Sequence, residues 1–142
     1  MALLLVLHVF GVGLWLGCAG AETLLEIAGD RKPELRRAVI RLHYWIDLVV
    51  ELPAVLLALV TGIALASQLP ADGGWDLAKR IIGLVALTAN LGAIGAIVAR
   101  ERAARAGDER ALGRRQSLFG TLVVVAAPAA LVALLIALAR VG

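Results

Sequence analysis

Four long apolar runs, separated by short polar connections, make up most of the chain. The runs contain no Asp, Glu, Lys or Arg and cover residues Ala2–Ala21, Leu52–Ala71, Ile81–Ala99 and Gln116–Ala139. A helix needs about 20 residues to cross the hydrocarbon core of a bilayer, and each run is continuous rather than alternating. The pattern predicts an all-α membrane protein, an antiparallel bundle of four transmembrane helices.

The polar connections set the expected helix ends. We predict helices over about residues 2–27, 38–69, 75–103 and 112–140, all in one domain over residues 1–142. Because the connections are short, consecutive helices are expected to be antiparallel neighbours. Gly29 is expected to end the first helix, and Pro33 to lie in the first turn of the second. Pro53 and Pro128 are expected to bend their helices, because proline removes a backbone donor.

Composition and charge agree with a membrane location and indicate an orientation. The 142 residues are 61% hydrophobic, against about half in soluble domains. Eleven of the 14 Lys and Arg residues lie in the first and third connections: Arg31, Lys32, Arg36, Arg37, Arg41, Arg100, Arg102, Arg105, Arg110, Arg114 and Arg115. The positive-inside rule predicts that these connections are cytoplasmic and both termini are outside the cytoplasm. The net charge of +3 therefore reports topology, and no nucleic-acid partner is expected. The first run lacks a basic segment before it and is expected to be retained rather than removed as a signal peptide.

Acidic and imidazole side chains are concentrated near the basic connection of the first two predicted helices. They are Glu22, Glu26, His43, Asp47 and Glu51. Ionisable groups inside spans are costly and usually face the bundle interior, and carboxylate with imidazole suits a divalent cation. The sequence therefore predicts a metal site formed by Glu22, His43, Asp47 and Glu51.

The same side chains are also compatible with a site that holds no metal ion. Carboxylates in one low-dielectric site cannot all stay ionised without a cation, so one or more are protonated, as in a proton relay, or a basic side chain such as Arg115 lies among them. Alternatively, this end of the bundle is solvated and the acids pair with Arg37, Arg41 or Arg115. No Glu-x-x-His pair occurs, which argues against a di-iron centre.

A second polar group lies nearer the termini and comprises His8, Lys79 and Asn90. At 1.5 Å per residue, His8 and His43 are expected to lie about 20–25 Å apart along the membrane normal. The two histidines therefore cannot ligate one metal ion or both faces of one haem. A lone histidine in a span can also simply hydrogen-bond a neighbouring helix.

Three short motifs resemble a group of small bacterial four-helix membrane proteins: LHVFGVGLWLG at 7–17, LPAVLLALVTGIAL at 52–65 and GWDLAK at 74–79. The group includes the haem-containing protoporphyrinogen IX oxidase, the copper-resistance D type proteins and a family of predicted integral membrane proteins without an assigned activity. The resemblance implies a location in the bacterial inner membrane. It also implies haem b as cofactor, with His8 as axial ligand, Lys79 near a propionate, and Trp15 and Asn90 at the other cofactor-binding positions.

The chain departs from the oxidase pattern in three places. Glu22-Thr23-Leu24 replaces a Pro-Arg pair, the region of Gly29 replaces a second histidine, and Asn90 replaces a histidine of the third helix. The family without an assigned activity fits at least as well, particularly through YWIDLVVELPAVLLALVTG.

Three hypotheses for the function follow. The chain is a haem b-binding redox protein, and so a candidate oxidoreductase; or a metal-cation carrier or channel that uses the carboxylates; or a structural or accessory subunit. Copper is disfavoured, because Met1 and Cys18 are the only soft ligands. The expected partners are the bilayer and a second copy that packs through small residues, in the first helix Gly11, Gly13, Gly17 and Gly20. The sequence identifies no redox partner or small-molecule substrate.

Overall fold

The computed structural model describes residues 1–68 and 73–139. It contains four long helices: α1 (Ala2–Arg31), α2 (Arg36–Gln68), α3 (Gly74–Ala106) and α4 (Glu109–Leu138). Each is long and apolar enough to cross a bilayer, and no strand occurs among the described residues. The predicted all-α bundle of four transmembrane helices is confirmed, and the protein is a multi-pass membrane protein.

The connection between α1 and α2 differs from the prediction. α1 continues through Gly29 to Arg31, so the expectation that Gly29 ends this helix is wrong. A Cβ atom on Gly29 would lie 3.3 Å from the side chain of Val39, so this glycine lets α1 and α2 approach closely. Pro33 begins a short 3-10 turn, Pro33–Leu35, that leads into α2. The predicted helix ends at residues 69 and 140 lie outside the described residues.

Gly11 marks a second close approach between α1 and α2. A Cβ atom there would lie 3.1 Å from backbone atoms of Ala54 and Ala58. The other glycines of this run do not behave in the same way, because a Cβ atom would meet nothing within 4 Å at Gly13, Gly17 and Gly20. The predicted packing of these three positions against a second copy stays a prediction.

α2 contains a π-helical turn, Asp47–Glu51, just before Pro53. The amide of Leu52 donates to the carbonyl of Asp47, five residues back. Pro53 has no N–H for the carbonyl of Val49, and its ring crowds that carbonyl. The wider π turn accommodates the proline, so the disturbance expected at Pro53 takes this form. Pro128, by contrast, lies inside a continuous α4.

A tight turn joins α3 to α4. Gly107 ends α3 in the left-handed region, with φ of 69°, which glycine adopts without a Cβ clash. Asp108 follows, and its side chain accepts a hydrogen bond from the amide of Ala111 over 2.9 Å, which caps α4. The two helices therefore run antiparallel directly from this turn.

The helices pack as two hairpins, α1 with α2 and α3 with α4, joined where α2 meets α3. We call the end that holds the connections at residues 32–35 and 107–108 the basic end, and the opposite end the terminal end. A central apolar cluster draws on all four helices: Trp15, Ala54, Val55, Ala86 and Ala130. A smaller cluster at the basic end consists of Ile40, Ala103 and Leu112. The buried polar side chains lie mainly between these clusters.

Candidate functional site

A layer of polar side chains separates the two apolar clusters. All four helices contribute: Glu22 and Glu26 from α1, His43, Asp47 and Glu51 from α2, Asn90 and Arg100 from α3, and Gln116 from α4. His43 and Arg100 are both 0% exposed. Buried charges are costly unless they are paired or bound to a cation, so the contacts inside this polar layer decide its chemistry.

The π turn keeps the acids of α2 in line with His43. In a regular α-helix, each four-residue step overshoots a full turn by about 40°. A π turn has hydrogen bonds that span five residues and rotates the chain less per residue, so it reverses part of this drift between Asp47 and Glu51. Both acids are buried on the same side as His43.

The contacts of His43 fix which ring nitrogen carries a proton. Its Nδ1 lies 2.5 Å from Glu26 Oε1, and the same oxygen accepts from Arg100 Nη2. A carboxylate paired with a guanidinium is ionised and can only accept hydrogen bonds, so Nδ1 is the N–H that donates to it. Arg100 Nη2 also lies 3.2 Å from Nδ1, but two N–H groups cannot bond to each other, and Arg100 makes its shorter bond of 2.6 Å to Glu26. In the neutral ring, Nε2 is then a lone-pair acceptor, and it has no hydrogen-bond partner among the described residues.

Two carboxylates face this unpartnered nitrogen. His43 Nε2 lies 3.5 Å from Glu22 Oε2 and 3.6 Å from Asp47 Oδ1, and one ligand atom from each of the three residues falls within 4.8 Å of the others. Metal–ligand bonds of about 2.0–2.2 Å in a tetrahedral site separate the ligand atoms by about 3.3–3.6 Å. The two distances at His43 match that separation. Glu22 Oε1 also lacks a hydrogen-bond partner among the described residues.

Glu26 is held in turn by side chains of α3 and α4. Arg100 Nη2 donates to Glu26 Oε1 over 2.6 Å, and Gln116 Nε2 donates to Glu26 Oε2 over 3.4 Å. Arg100 also donates to Gln116 Oε1 over 2.5 Å. The ring of Phe119 lies 5.5 Å from the guanidinium carbon and packs edge-on against His43. These contacts fix the carboxylate that orients the imidazole.

The predicted pairing of the acids with exposed arginines is wrong. The expected partners Arg37, Arg41 and Arg115 are all exposed and form no ion pair within residues 1–68 and 73–139. Arg100 pairs instead, because α3 continues as a helix to Ala106 and carries this residue inward. This end of the polar layer is therefore buried rather than solvated.

Glu51 forms a second, deeper contact in the polar layer. Its Oε1 accepts a hydrogen bond from Asn90 Nδ2 over 2.6 Å, and its carboxyl group lies near enough to Glu22 to interact with it electrostatically. The grouping of Asn90 with His8 and Lys79 is therefore wrong, because Asn90 lies about 16 Å along α3 from Lys79 at 1.5 Å per residue. Glu51 lies beside the group of Glu22, His43 and Asp47 rather than within it.

His8 lies nearer the terminal end, among neutral groups. Its Nδ1 is 3.0 Å from the carbonyl oxygen of Ala58 and 3.1 Å from Thr61 Oγ1. The Thr61 hydroxyl donates to the carbonyl of Leu57 over 2.5 Å, so its oxygen accepts from His8. Nδ1 is therefore the N–H here too, and the ring packs so closely on Gly62 that a Cβ atom would lie 3.1 Å from Cε1.

The remaining predicted cofactor residues take different positions. Trp15 is 4% exposed in the central apolar cluster, and its Nε1 has no partner among the described residues. Lys79 lies near enough to His8 to act on it electrostatically, and its Nζ is 3.9 Å from Asp76 Oδ1. The assignment of His8, Lys79, Trp15 and Asn90 to a cofactor stays a prediction.

Arg100 and Gln116 complete the polar layer but are not among the predicted site residues. Arg100 follows an apolar run directly, so it reads as part of the basic connection. Its position along the helix could have identified it as buried, because the buried residues of α3 recur every three or four positions: Ala86, Asn90, Ala93, Ile97 and Arg100. This spacing shows that Arg100 continues the same inward stripe as Asn90.

The fold and the polar layer together define a four-span membrane protein with a buried carboxylate–imidazole group. Comparisons with known proteins add no match: no family model, curated protein or solved structure is significantly similar to the chain. The resemblance to the haem-containing and copper-resistance groups stays a prediction.

Proposed function

We propose that the protein binds a divalent metal cation inside the membrane through Glu22, His43 and Asp47, and acts as a carrier for it. The observation that supports this most is the buried Nε2 of His43, which has no hydrogen-bond partner among the described residues and faces two carboxylates at 3.5 Å and 3.6 Å. Its other ring nitrogen donates to Glu26. Metal-ligating histidines almost always donate their second N–H to a carboxylate or carbonyl in this way.

The charge of the polar layer also favours a cation. Four buried or half-buried carboxyl groups, those of Glu22, Glu26, Asp47 and Glu51, lie in the same polar layer as the guanidinium of Arg100, which pairs with Glu26. With all four acids ionised and the imidazole neutral, an excess of three negative charges would lie in a low-dielectric region. A divalent cation offsets two of them, and a proton shared between Glu22 and Glu51 offsets the third.

The ligand set narrows the identity of the cation. One imidazole and two carboxylates suit Zn²⁺, Mn²⁺ or Fe²⁺, whereas Cu⁺ prefers thiolate and thioether. Within the described residues, no sulfur ligand belongs to the group that contains His43. We therefore propose a divalent ion that prefers nitrogen and oxygen ligands to sulfur, with Zn²⁺ as the first ion to test.

A role in transport follows from the second acidic position. Glu51 and Asn90 lie next to the three proposed ligands and closer to the middle of the bundle. Adjacent cation positions at different depths allow an ion to move along the membrane normal, and intramembrane ionisable residues commonly mark such pathways. A subunit whose polar groups only hold helices together needs no second position.

Binding is tested with the full chain purified in detergent. Zn²⁺ affinity is measured by competition with a chromophoric chelator, in wild type, in Asp47→Asn and in Asp30→Asn. Asp30 is exposed at the end of α1, so this variant makes the same charge change outside the polar layer. We expect one Zn²⁺ per chain in wild type and in Asp30→Asn, and loss of this binding in Asp47→Asn. Equal affinity in all three contradicts the proposal.

Transport is tested separately in liposomes. We expect wild type to admit Zn²⁺ to vesicles that contain a fluorescent zinc indicator. Glu51→Gln is expected to bind Zn²⁺ but to transport it slowly, because the deeper carboxylate is lost while the three ligands remain. Transport at the wild-type rate in Glu51→Gln contradicts a pathway through this residue.

We further propose that the basic end faces the cytoplasm of a bacterial inner membrane. The arginine-rich connections and the positive-inside rule support this orientation. A reporter fused after residue 142 that is active only outside the cytoplasm tests it. Activity of a cytoplasm-specific reporter at the same position would reverse the proposed topology.

Haem b at His8 is the second candidate function, and one observation favours it. The Nδ1–H of His8 is directed to Ala58 and Thr61, which leaves Nε2 as the nitrogen available to an iron. Haem would supply one-electron chemistry, and His8 and Lys79 are the residues that would hold it. Expression with added haem precursor should then give a Soret band that disappears in His8→Ala. Absence of the band in wild type would exclude this candidate.

A further inference from the structure

An open cavity of about 470 Å³ lies at the basic end, between α2 and α3. Its lining residues are Arg37, Arg41, Glu101, Ala104 and Arg105. The volume falls within the range of about 300–1,000 Å³ that small-molecule sites occupy. It is separate from the proposed metal ligands, none of which lines it.

The cavity carries an excess of positive charge. Arg105 Nε donates to Glu101 Oε1 over 2.8 Å, so these two side chains offset each other. Arg37 and Arg41 are exposed and form no ion pair within the part of the chain that the structure describes. One helical turn separates them on α2, so both guanidinium groups lie on the same wall of the cavity. The cavity therefore offers two arginines to an anion.

Aromatic residues near the cavity indicate that it lies at the depth of the lipid headgroups. Two aromatic side chains that favour the membrane interface lie nearby. The ring centre of Tyr44 is 6.0 Å from the guanidinium carbon of Arg105, and the next residue, Trp45, is 49% exposed. Tyr and Trp concentrate at the boundary between hydrocarbon and water. We therefore expect the cavity to lie at this boundary.

We propose that this cavity binds the phosphate group of an anionic phospholipid. Guanidinium groups recognise phosphate oxygens through paired hydrogen bonds, and basic pockets between transmembrane helices on the cytoplasmic side bind lipid headgroups. Further along α2, exposed apolar side chains such as Leu42 and Val49 would lie against the acyl chains. A lipid therefore satisfies the charge and the apolar surface together, whereas a free phosphate satisfies only the charge.

Native mass spectrometry of the full chain in detergent tests the proposal. Phosphatidylglycerol, phosphatidylcholine and inorganic phosphate are titrated in turn against wild type and two double variants. Arg37→Gln with Arg41→Gln removes both free arginines of the cavity. Arg110→Gln with Arg114→Gln makes the same change, at the same spacing, on the exposed surface of α4.

We expect wild type and the α4 double variant to bind phosphatidylglycerol equally and phosphatidylcholine more weakly. The cavity double variant should bind phosphatidylglycerol about 30-fold more weakly, since each arginine near an anionic surface contributes about fivefold. Equal weakening in both double variants, or equal binding of both lipids, overturns the proposal. Displacement of the lipid by millimolar inorganic phosphate would assign the cavity to a free anion instead.

A single variant with the opposite expected sign guards against a folding artefact. Glu101→Gln removes the one acid that lines the cavity and releases Arg105 from its ion pair. Phosphatidylglycerol should then bind about fivefold more tightly, because one repulsive charge is gone. Unchanged or weaker binding in this variant contradicts the assignment.

Discussion

His8 and His43 have the same arrangement at Nδ1 but differ in the groups that surround the ring. In each, Nδ1–H donates to an oxygen, of Ala58 or Thr61 for His8 and of Glu26 for His43. The difference lies in their surroundings. The Nε2 of His43 faces two carboxylates in a fully buried layer, whereas His8 is half-buried among neutral groups, with Lys79 as the charged residue that acts on it.

This comparison shows that the charge around an imidazole decides which ligand it can take. A neutral imidazole with two ionised carboxylates at Nε2 presents only lone pairs there, so a proton or a cation must lie between the three groups. A lysine near a neutral imidazole repels a free cation. Such an imidazole is better suited to a hydrogen bond or to a neutral ligand. The region of His43 is therefore strongly coupled by charge, and the region of His8 is not.

The largest expected effect is a loss of folding stability when the guanidinium of Arg100, which balances the acids near His43, is removed. Arg100→Met removes a fully buried guanidinium and leaves Glu26 without its ion-pair partner. Breaking a buried ion pair by deleting one partner costs about 3–5 kcal/mol. The free energy of unfolding, measured by SDS titration in mixed micelles, should fall by that amount.

Arg102→Met is the matched control for Arg100→Met. Arg102 is exposed on the same helix, two residues further on, and exposed substitutions usually change stability by no more than about 0.5 kcal/mol. If the two variants lose the same stability, Arg100 does not hold the polar layer together.

The next effect separates the two histidines directly. His43→Gln removes a proposed ligand. Loss of a residue that only hydrogen-bonds a ligand typically lowers metal affinity about 10- to 100-fold, so Zn²⁺ affinity should fall by more than this. His8→Gln lies outside the site and should leave Zn²⁺ affinity unchanged. The measurement is chelator competition in detergent. A loss of affinity in His8→Gln equal to that in His43→Gln would remove the distinction between the two regions.

A smaller effect on Zn²⁺ affinity is expected from the carboxylate that orients His43. Glu26→Gln keeps an oxygen that accepts from His43 Nδ1–H and Arg100, but it removes the negative charge that raises the basicity of the imidazole. Zn²⁺ affinity should fall by about 10- to 100-fold. Glu34→Gln, at an exposed position in the connection at residues 32–35, is the control. Wild-type affinity in Glu26→Gln would show that the pair does not tune the metal site.

Hydropathy was enough to predict the spans, and sequence position was enough to predict that Glu22, His43 and Asp47 lie toward the basic end. The runs without charge predicted four helices, and the concentration of His43, Asp47 and Glu51 near one connection predicted that they belong to one site. The π turn was not predictable from spacing, because the step from Asp47 to Glu51 was judged by regular helical geometry. Pro53 was the signal of a disturbance, but the sequence does not specify whether a kink or a wider turn absorbs it.

Pairing across helices was less predictable than depth. Arg100 and Gln116 lie at the boundary between apolar runs and basic connections, where a charged residue is usually solvated. Which arginine turns inward depends on how far α3 extends and on its rotation, and both are set by packing against α4. Asn90 was likewise grouped with His8 and Lys79 near the termini, although its partner Glu51 lies on another helix, in the polar layer.

The smallest expected effect is on stability in the region of His8. Thr61→Val keeps the shape of the side chain and removes the hydroxyl that lies 3.1 Å from His8 Nδ1. His8 retains its bond to the carbonyl of Ala58. The free energy of unfolding should therefore fall by about 1 kcal/mol, the usual net value of one hydrogen bond. Thr88→Val is the control, since the Thr88 hydroxyl donates only within its own helix, to Leu84 over 2.8 Å and Val85 over 3.1 Å. SDS titration should show a loss in Thr61→Val that exceeds the loss in Thr88→Val and stays well below that of Arg100→Met. A loss as large as that of Arg100→Met would mean that His8 belongs to a polar region as strongly coupled as that of His43.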